Sequence, residues 1–314
     1  MTRGPRDRTV LVTGGAGFIG SHLVERLVEH NEVRVLDDLS TGRADRVPDQ
    51  ATLVRGDVCR RETLERALRG VDVVFHAAAI ADVDRSLDDP YRSHRVNSAA
   101  VVRLLELVRD RDLRVVVSSS AAVYGRPESV PIPESAPKRP RSPYGVQKLS
   151  MDQYARLYAD LFGSETVALR YFNVYGPRQP SGGYAGVIGA FLRQARRGDP
   201  LTIHGDGTQT RDFVHVSDVV EANLLAATTD HVGEAFNVGT GRSVSVEGLA
   251  DLVLEVTGAD VDVVHESPRS GDVPHSRADV TKARRDLGFE ASTALDDGLG
   301  SLARAEVPHL HDGG

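Results

Sequence analysis

Apolar positions along this chain follow two alternating rhythms. Short runs rich in β-branched residues cover 9–12, 32–36, 51–55, 71–75, 114–117 and 166–170. Runs of that length, bounded by turn residues, predict buried strands. Between them lie stretches with helical spacing. Leu23, Val24, Leu27 and Val28 mark a helix over 21–30, and further helices are expected over 62–68, 88–109 and from Pro143 through Tyr154, Leu157, Tyr158 and Leu161. Strands alternating with helices in this way predict an α/β fold built on a doubly wound parallel sheet. Beyond Tyr175 the rhythm changes. The expected order is a loop at 181–184, a helix over 187–197, a strand over 201–204 and a turn at Asp206-Gly207, then a strand and a helix over 217–227 capped by Ser217. A last strand over 236–239 returns to the main sheet, followed by a helix over 246–256 and a final ordered stretch over 279–287. The division this implies is a sheet domain over 1–172, rejoined by 213–239, and a smaller C-terminal α/β domain made of 173–212 and 240–314.

Composition narrows the class without naming a chemistry. The chain has 314 residues, 40% apolar and 26% charged, which is ordinary for a globular protein with a sizeable core. A net charge of −7 argues against general affinity for nucleic acid. Cys59 is the single cysteine, so no intrachain disulfide forms and a reducing, cytoplasmic setting is expected. Neither a signal-peptide core nor a membrane-length apolar run is present. His309 and His311 stand two apart in a polar tail without partners, so no metal site is expected.

Candidate chemistry gathers where the predicted strands end, as it does in parallel sheets. The first strand runs into Gly14, Gly17 and Gly20, a G-x-x-G-x-x-G spacing, while Gly15, Gly17 and Gly20 also satisfy G-x-G-x-x-G. Glycines there permit a tight turn and close approach of a pyrophosphate to a helix N-terminus. The second strand ends in Asp37 and Asp38, which suit a ribose diol and repel a 2′-phosphate, favouring NAD; a capping or turn role explains one of them equally well. Ala77, Ala78 and Ala79 follow the fourth strand and leave room for a cofactor or for tight packing. The fifth strand delivers Ser118, Ser119 and Ser120, and the sixth Asn173. Tyr144 and Lys148 are one helical turn apart on one face, and a nearby ammonium favours the phenolate. Only three of the 38 basic residues are lysines, and one stands here.

These segments resemble the extended short-chain dehydrogenase/reductase superfamily, in its nucleotide-sugar epimerase branch typified by UDP-glucose 4-epimerase. The likeness is carried by TGGAGFIGSH from Thr13, LDDLSTG from Leu36, GDV from Gly56, SSSAAVYG from Ser118, SPYGVQK from Ser142, LRYFNVYGPRQ from Leu169, GDGTQTRDFVHVSD from Gly205 and SPRSGDVPHSRADVTKA from Ser267. It implies a Rossmann domain of the extended type holding NAD, with Phe18 and Ile19 over the pyrophosphate and Asp37, Asp38, Ser40, Thr41 and Gly42 around the adenosine ribose. Asp57 and Val58 would meet the adenine, and Ala77, Ala78, Ala79 and Ala81 the cofactor's inner face. Asn97 and Phe172 would complete that shell, and Lys148 would hold the nicotinamide ribose. Ser120 would bind the sugar's 4-hydroxyl beside Tyr144, the base. Arg211 and Arg269 would meet the diphosphate of a UDP-hexose, and Asn173, Val187, Thr202 and Asp272 the rest of the nucleotide. Ser276, where a bulky tyrosine would restrict the pocket to glucose and galactose, implies room for N-acetylated sugars. A homodimer paired through the helices around Asn97 and Tyr154 is implied too.

One departure discriminates within the superfamily. Sugar dehydratases place an Asp-Glu pair directly after the catalytic Ser or Thr, and decarboxylases commonly a Glu; here Ala121 and Ala122 stand there. Elimination therefore lacks its second acid and base, which leaves reversible oxidation at C4. Alternatives are a nucleotide-sugar reductase or dehydrogenase, and a non-catalytic NAD-sensing protein.

Overall fold

The computed structural model describes residues 4–180, 186–268 and 272–304. Six strands appear in order: β1 (Thr9–Thr13), β2 (Glu32–Asp37), β3 (Ala51–Arg55), β4 (Val73–His76), β5 (Arg114–Ser120) and β6 (Glu165–Tyr171). Then come β7 (Asn173–Tyr175), β8 (Leu201–His204), β9 (Thr210–Arg211), β10 (Phe213–His215), β11 (Glu234–Val238), β12 (Val244–Ser245) and β13 (Val263–Glu266). The main sheet has the order β11-β6-β5-β4-β1-β2-β3, and every pairing in it is parallel. The chain reverses direction across the sheet between β1 and β4, so the crevice for a ligand opens past Thr13 and His76. As expected from the apolar run at 236–239, β11 returns to this sheet, beside β6.

Helices cover both faces because the strands are apolar on both. Helix α1 (Phe18–Leu27) packs on one face, joined later by α8 (Val216–Ala226), around Val10, Val12, Val35 and Leu169. On the other face α2 (Arg61–Ala67), α5 (Ala100–Val108) and α6 (Pro143–Phe162) enclose Leu11, Val74, Val117 and Ala168. A separate apolar cluster joins α7 (Val187–Arg197), β8, α9 (Val246–Thr257) and α10 (Leu295–Arg304), with Phe191, Ile203, Leu249 and Leu299 among its buried members. None of the described helices is long and apolar enough to cross a membrane.

Several expectations need correction. The stretch 88–109 is not one helix. It divides into α3 (Val83–Asp88), α4 (Pro90–His94), a π-helical turn (Arg95–Ala99) and α5. Asp89 breaks it by accepting a hydrogen bond from Arg92 N ahead of Pro90, a residue that starts helices and cannot donate within them. β5 runs on through Ser120, so its serines lie in the strand rather than beyond it. Asn173 belongs to a two-stranded sheet with β10, not to the main sheet. The cap of α8 is His215, whose ring accepts from Ser217 N; Ser217 is already helical. Of 279–287, the helical part begins at Thr281 and runs through a π-helical turn, Ala283–Leu287. β13, paired with β8, and α10 are elements that the periodicity does not announce.

One ion pair lies deep inside the apolar frame. Arg170 of β6 and Asp152 of α6 are both fully buried, with hydrogen bonds of 2.7 and 3.0 Å between guanidinium and carboxylate. The same guanidinium donates to Tyr124 Oη and to the carbonyl of Glu134, each at 3.0 Å. Removing one partner strands a buried charge. Asp152→Leu is therefore expected to lower unfolding free energy by ~3–5 kcal/mol in urea melts. The Asp152→Leu/Arg170→Met double variant should regain most of that loss, and a double variant no more stable than the single one would contradict this account.

Candidate active site

The glycine turn after β1 is shaped by crowding at two of its glycines and by openness at the third. Gly14 has φ +70°, and a Cβ there would sit 2.7 Å from the backbone of Ala78. A Cβ on Gly20 would lie 2.2 Å from Gly14 O. At Gly17, by contrast, an added Cβ would meet only Gly14 O, at 3.2 Å. Gly17 is also the N-cap of α1, where no side chain takes the helix's free amides. Phe18, Ile19 and Gly20 thus open a positively polarised helix end at a surface with space above it, which fits a pyrophosphate.

Past β2 the two aspartates are both engaged in the turn. Asp37 accepts from Ala16 N at 3.0 Å and Leu39 N at 2.8 Å, and burial pushes its carboxyl above the usual range. Asp38 accepts from Ser40 N at 2.9 Å and Ser40 Oγ at 2.6 Å. The turn reading therefore holds for both, with lone pairs remaining for a diol. Thr41 and Gly42 carry this loop back over the glycine turn, where a Cβ on Gly42 would meet Ala16 at 2.9 Å. Beyond β3, Asp57 accepts from Cys59 N at 2.8 Å, and Val58 is buried.

β4 ends in His76, whose Nδ1 lies 2.9 Å from Thr13 Oγ1 and whose buried Nε2 has no partner among the described residues. Burial drives this imidazole down to about 3, so it stays neutral. Ala77, Ala78 and Ala79 follow, half-buried, with Ala81 exposed. Asn97, fully buried in the π-helical turn, brackets Ile80 by accepting from its N–H at 2.8 Å and donating to its carbonyl at 3.0 Å. Asn97 also donates to Gln147 Oε1 at 2.8 Å, and Gln147 Nε2 donates to Ser93 Oγ at 2.8 Å. Nothing in the sequence singles out Gln147, which reads there only as the spacer before Lys148.

The catalytic candidates meet between β5 and α6. Ser142 caps α6 by accepting from Gly145 N, Pro143 opens it, and Tyr144 N donates to Ser86 Oγ at 3.1 Å. The Tyr144 hydroxyl stands beside Ser120, close enough for the serine to favour its ionised form. Lys148 Nζ lies 5.8 Å from the centre of the Tyr144 ring and donates to Ser118 O at 2.6 Å. Its charge does not lower the phenol as the spacing suggests. Burial raises the Tyr144 phenol, opposed by Ser120 beside its hydroxyl, and the ammonium is turned towards the strand carbonyl. Burial also brings Lys148 itself down to about 8. Ala121 and Ala122 form the 3-10 turn after Ser120, whose Oγ accepts from Ala122 N at 3.2 Å, so no acid stands beside the serine.

The nucleotide-side candidates are spread along the other wall. Asn173 is exposed in β7, with Phe172 before it packed among Val123, Tyr124 and Ala278. Val187 opens α7, and Thr202 Oγ1 accepts from Gln194 Nε2 at 3.0 Å. Arg211 and Asp272 form an ion pair with each other, and Ser276 N donates to Thr210 O at 3.1 Å. Arg269, His309 and His311 lie outside the described residues. Sequence reasoning passes over Asp212. Buried between β9 and β10, it accepts from Thr240 N (2.8 Å), Thr240 Oγ1 (2.7 Å), Gly241 N (3.0 Å) and Ala278 N (3.1 Å), tying distant loops together. A lone acid at the head of the apolar run Phe213-Val214 is its only signal.

Comparison with known proteins agrees with this geometry. A family model described as the NAD dependent epimerase/dehydratase family matches residues 10–239. The UDP-glucose 4-epimerase of Mycolicibacterium smegmatis is 39% identical over 298 residues, covering 92% of this chain and 95% of that protein. Among solved structures, the UDP-glucose 4-epimerase of Thermotoga maritima with UDP-glucose has a TM-score of 0.91 at 40% identity, covering 94% of this chain and 97% of that one. A UDP-N-acetylglucosamine 4-epimerase from Methanobrevibacter ruminantium M1, in complex with UDP-N-acetylmuramic acid, also has a TM-score of 0.91, at 36% identity over 95% of this chain and 98% of that one. Matched in sequence and in fold over nearly its whole length, the chain belongs to the NAD-dependent epimerase/dehydratase family.

Proposed function

We propose that this protein is an NAD-dependent 4-epimerase of UDP-hexoses, interconverting UDP-glucose and UDP-galactose through a transient 4-keto sugar. The observation that carries the reading is the Tyr144 hydroxyl set beside Ser120, with two alanines next to the serine: one pair for proton transfer and nothing further for elimination. Bound NAD supplies a reversible hydride acceptor for C4. Gly14, Gly17 and Gly20 leave its pyrophosphate room at the start of α1, and Lys148 is placed to hold the nicotinamide ribose. Tyr144, as the phenolate, takes the 4-hydroxyl proton, directly or through Ser120, and returns it once the keto sugar has presented its other face. Arg211 with Arg269 serves the diphosphate, so substrate binding competes with Asp272 for Arg211.

Residues 173–212 and 240–314 are read as the nucleotide-sugar domain, and the cytoplasm as the site of action. A homodimer is part of the proposal. Leu87, Tyr91, Tyr154, Leu157 and Leu161 are exposed apolar side chains on α3, α4 and α6, three helices in mutual contact, and Tyr91 is 74% exposed. A patch of this kind marks an association surface.

Tyr144→Phe should fold and retain NAD yet lose ~10²–10⁴ in turnover, the usual share of a positioned acid–base group, in a coupled assay with UDP-galactose. Because the hydride returns to the sugar, turnover should need no added NADH, and stoichiometric NADH consumption would count against epimerisation. With Ser276 small, UDP-N-acetylglucosamine should be epimerised alongside UDP-glucose, and Ser276→Tyr should abolish only the former; the NMR spectrum of the product sugars reads both. Tyr91→Asp with Leu161→Arg should convert a dimer to a monomer by size-exclusion chromatography with light scattering.

A further inference from the structure

At the free edge of β11 a second cavity of about 370 Å³ opens between α6, the 133–138 loop and the turn carrying Lys282 and Arg285. None of its lining residues belongs to the site above. Five of them are cationic: Lys138, Arg156, Arg170, Lys282 and Arg285. Two of the chain's three lysines face this cavity in a protein of net charge −7, so the concentration of positive charge is local.

Three of these cations are already matched by carboxylates: Arg170 by Asp152 at 2.7 Å, Lys282 by Glu234 at 2.6 Å and Arg285 by Asp286 at 2.5 Å. Lys138 and Arg156 are different. Lys138 Nζ donates to Glu134 O at 2.5 Å and Arg156 Nε to Gly233 O at 3.3 Å, and neither forms an ion pair among the described residues. Burial lowers the Lys138 ammonium, and the charges of Arg170 and Arg156 lower it further, against the opposing pull of Asp152 and Glu134. Protection of the open strand edge accounts for part of the cluster. Lys282 donates to Ala235 O at 2.9 Å, and Glu134 accepts from Asn237 N at 2.8 Å. It does not account for Lys138, which touches neither β11 nor a carboxylate. The volume falls in the range of small-molecule sites, which begins at about 300 Å³, and Ser135 with the Glu134 carboxylate lines the remainder as hydroxyl partners.

We propose that this cavity binds a small phosphate monoester, its phosphate between Lys138 and Arg156 over Arg170, and its hydroxylated body against Ser135 and Glu134. Charge-assisted contacts from two cations that form no ion pair among the described residues select the phosphate.

The test is calorimetric titration of the NAD-bound enzyme with glucose 6-phosphate at constant ionic strength, with the substrate cleft saturated by UDP. One ester should bind per chain in the presence of UDP. Lys138→Gln and Arg156→Gln should each weaken that binding at least tenfold while leaving epimerase turnover unchanged without the ester. Inorganic phosphate should bind more weakly than the ester. The proposal is overturned by binding that UDP abolishes, by affinity that both variants leave unchanged, or by inorganic phosphate binding as tightly as the ester.

Discussion

The site depends on how α6 is fastened to the end of β5. Lys148 Nζ donates to Ser118 O, and Ser119 Oγ donates to Lys148 O, so the lysine is tied to the strand through both its side chain and its main chain. These two bonds fix the rotation and the axial position of the helix relative to the strand. Tyr144, one turn earlier, has then only one place for its hydroxyl, beside Ser120. Because α6 begins on the caps of Ser142 and Ser86, its first turn is held from outside as well. The geometry of the proposed catalytic pair is thereby a property of two rigid elements rather than of a loop, which is the condition for precise positioning.

Burial has a second consequence for the chemistry. The Tyr144 phenol is raised and the Lys148 ammonium lowered, each displaced towards its neutral form by the same apolar surroundings. Simple helix spacing suggests that the lysine tunes the tyrosine; desolvation outweighs that pairing at 5.8 Å, where the ammonium is committed to a carbonyl. The phenolate that is to take the 4-hydroxyl proton must therefore be stabilised by what binds in the crevice and by Ser120.

What can be read from the sequence follows from which forces act locally. The strands of the main sheet and the helices α1, α6, α7 and α9 are legible because their apolar spacing is a direct record of burial, and Gly14 and Gly20 because close approach forbids a side chain. The break between α3 and α4 is visible in Asp89-Pro90 but is outweighed by the apolar rhythm on either side. β7 is hidden because only Phe172 separates it from β6, and β13 because Val263 and Val264 run straight into His265 and Glu266. Asp212 and Gln147 are hidden for another reason: each works by hydrogen bonds to residues far away in the chain, and no local pattern encodes those partners. The fifty residues separating Asn97 from Gln147 are of this kind.

Asp212 also bears on the order in which the molecule becomes complete. Every residue expected to face the dinucleotide lies at or before Phe172, whereas the carboxylate of Asp212 acquires its partners only when Thr240, Gly241 and finally Ala278 have been synthesised. β11, which closes the sheet against β6, is likewise a late arrival. During synthesis the crevice for the cofactor is encoded well before the wall for the sugar nucleotide can be clamped in place. The chain thus presents its redox partner's seat first and its specificity last, an order of assembly written into the connectivity rather than into any single contact.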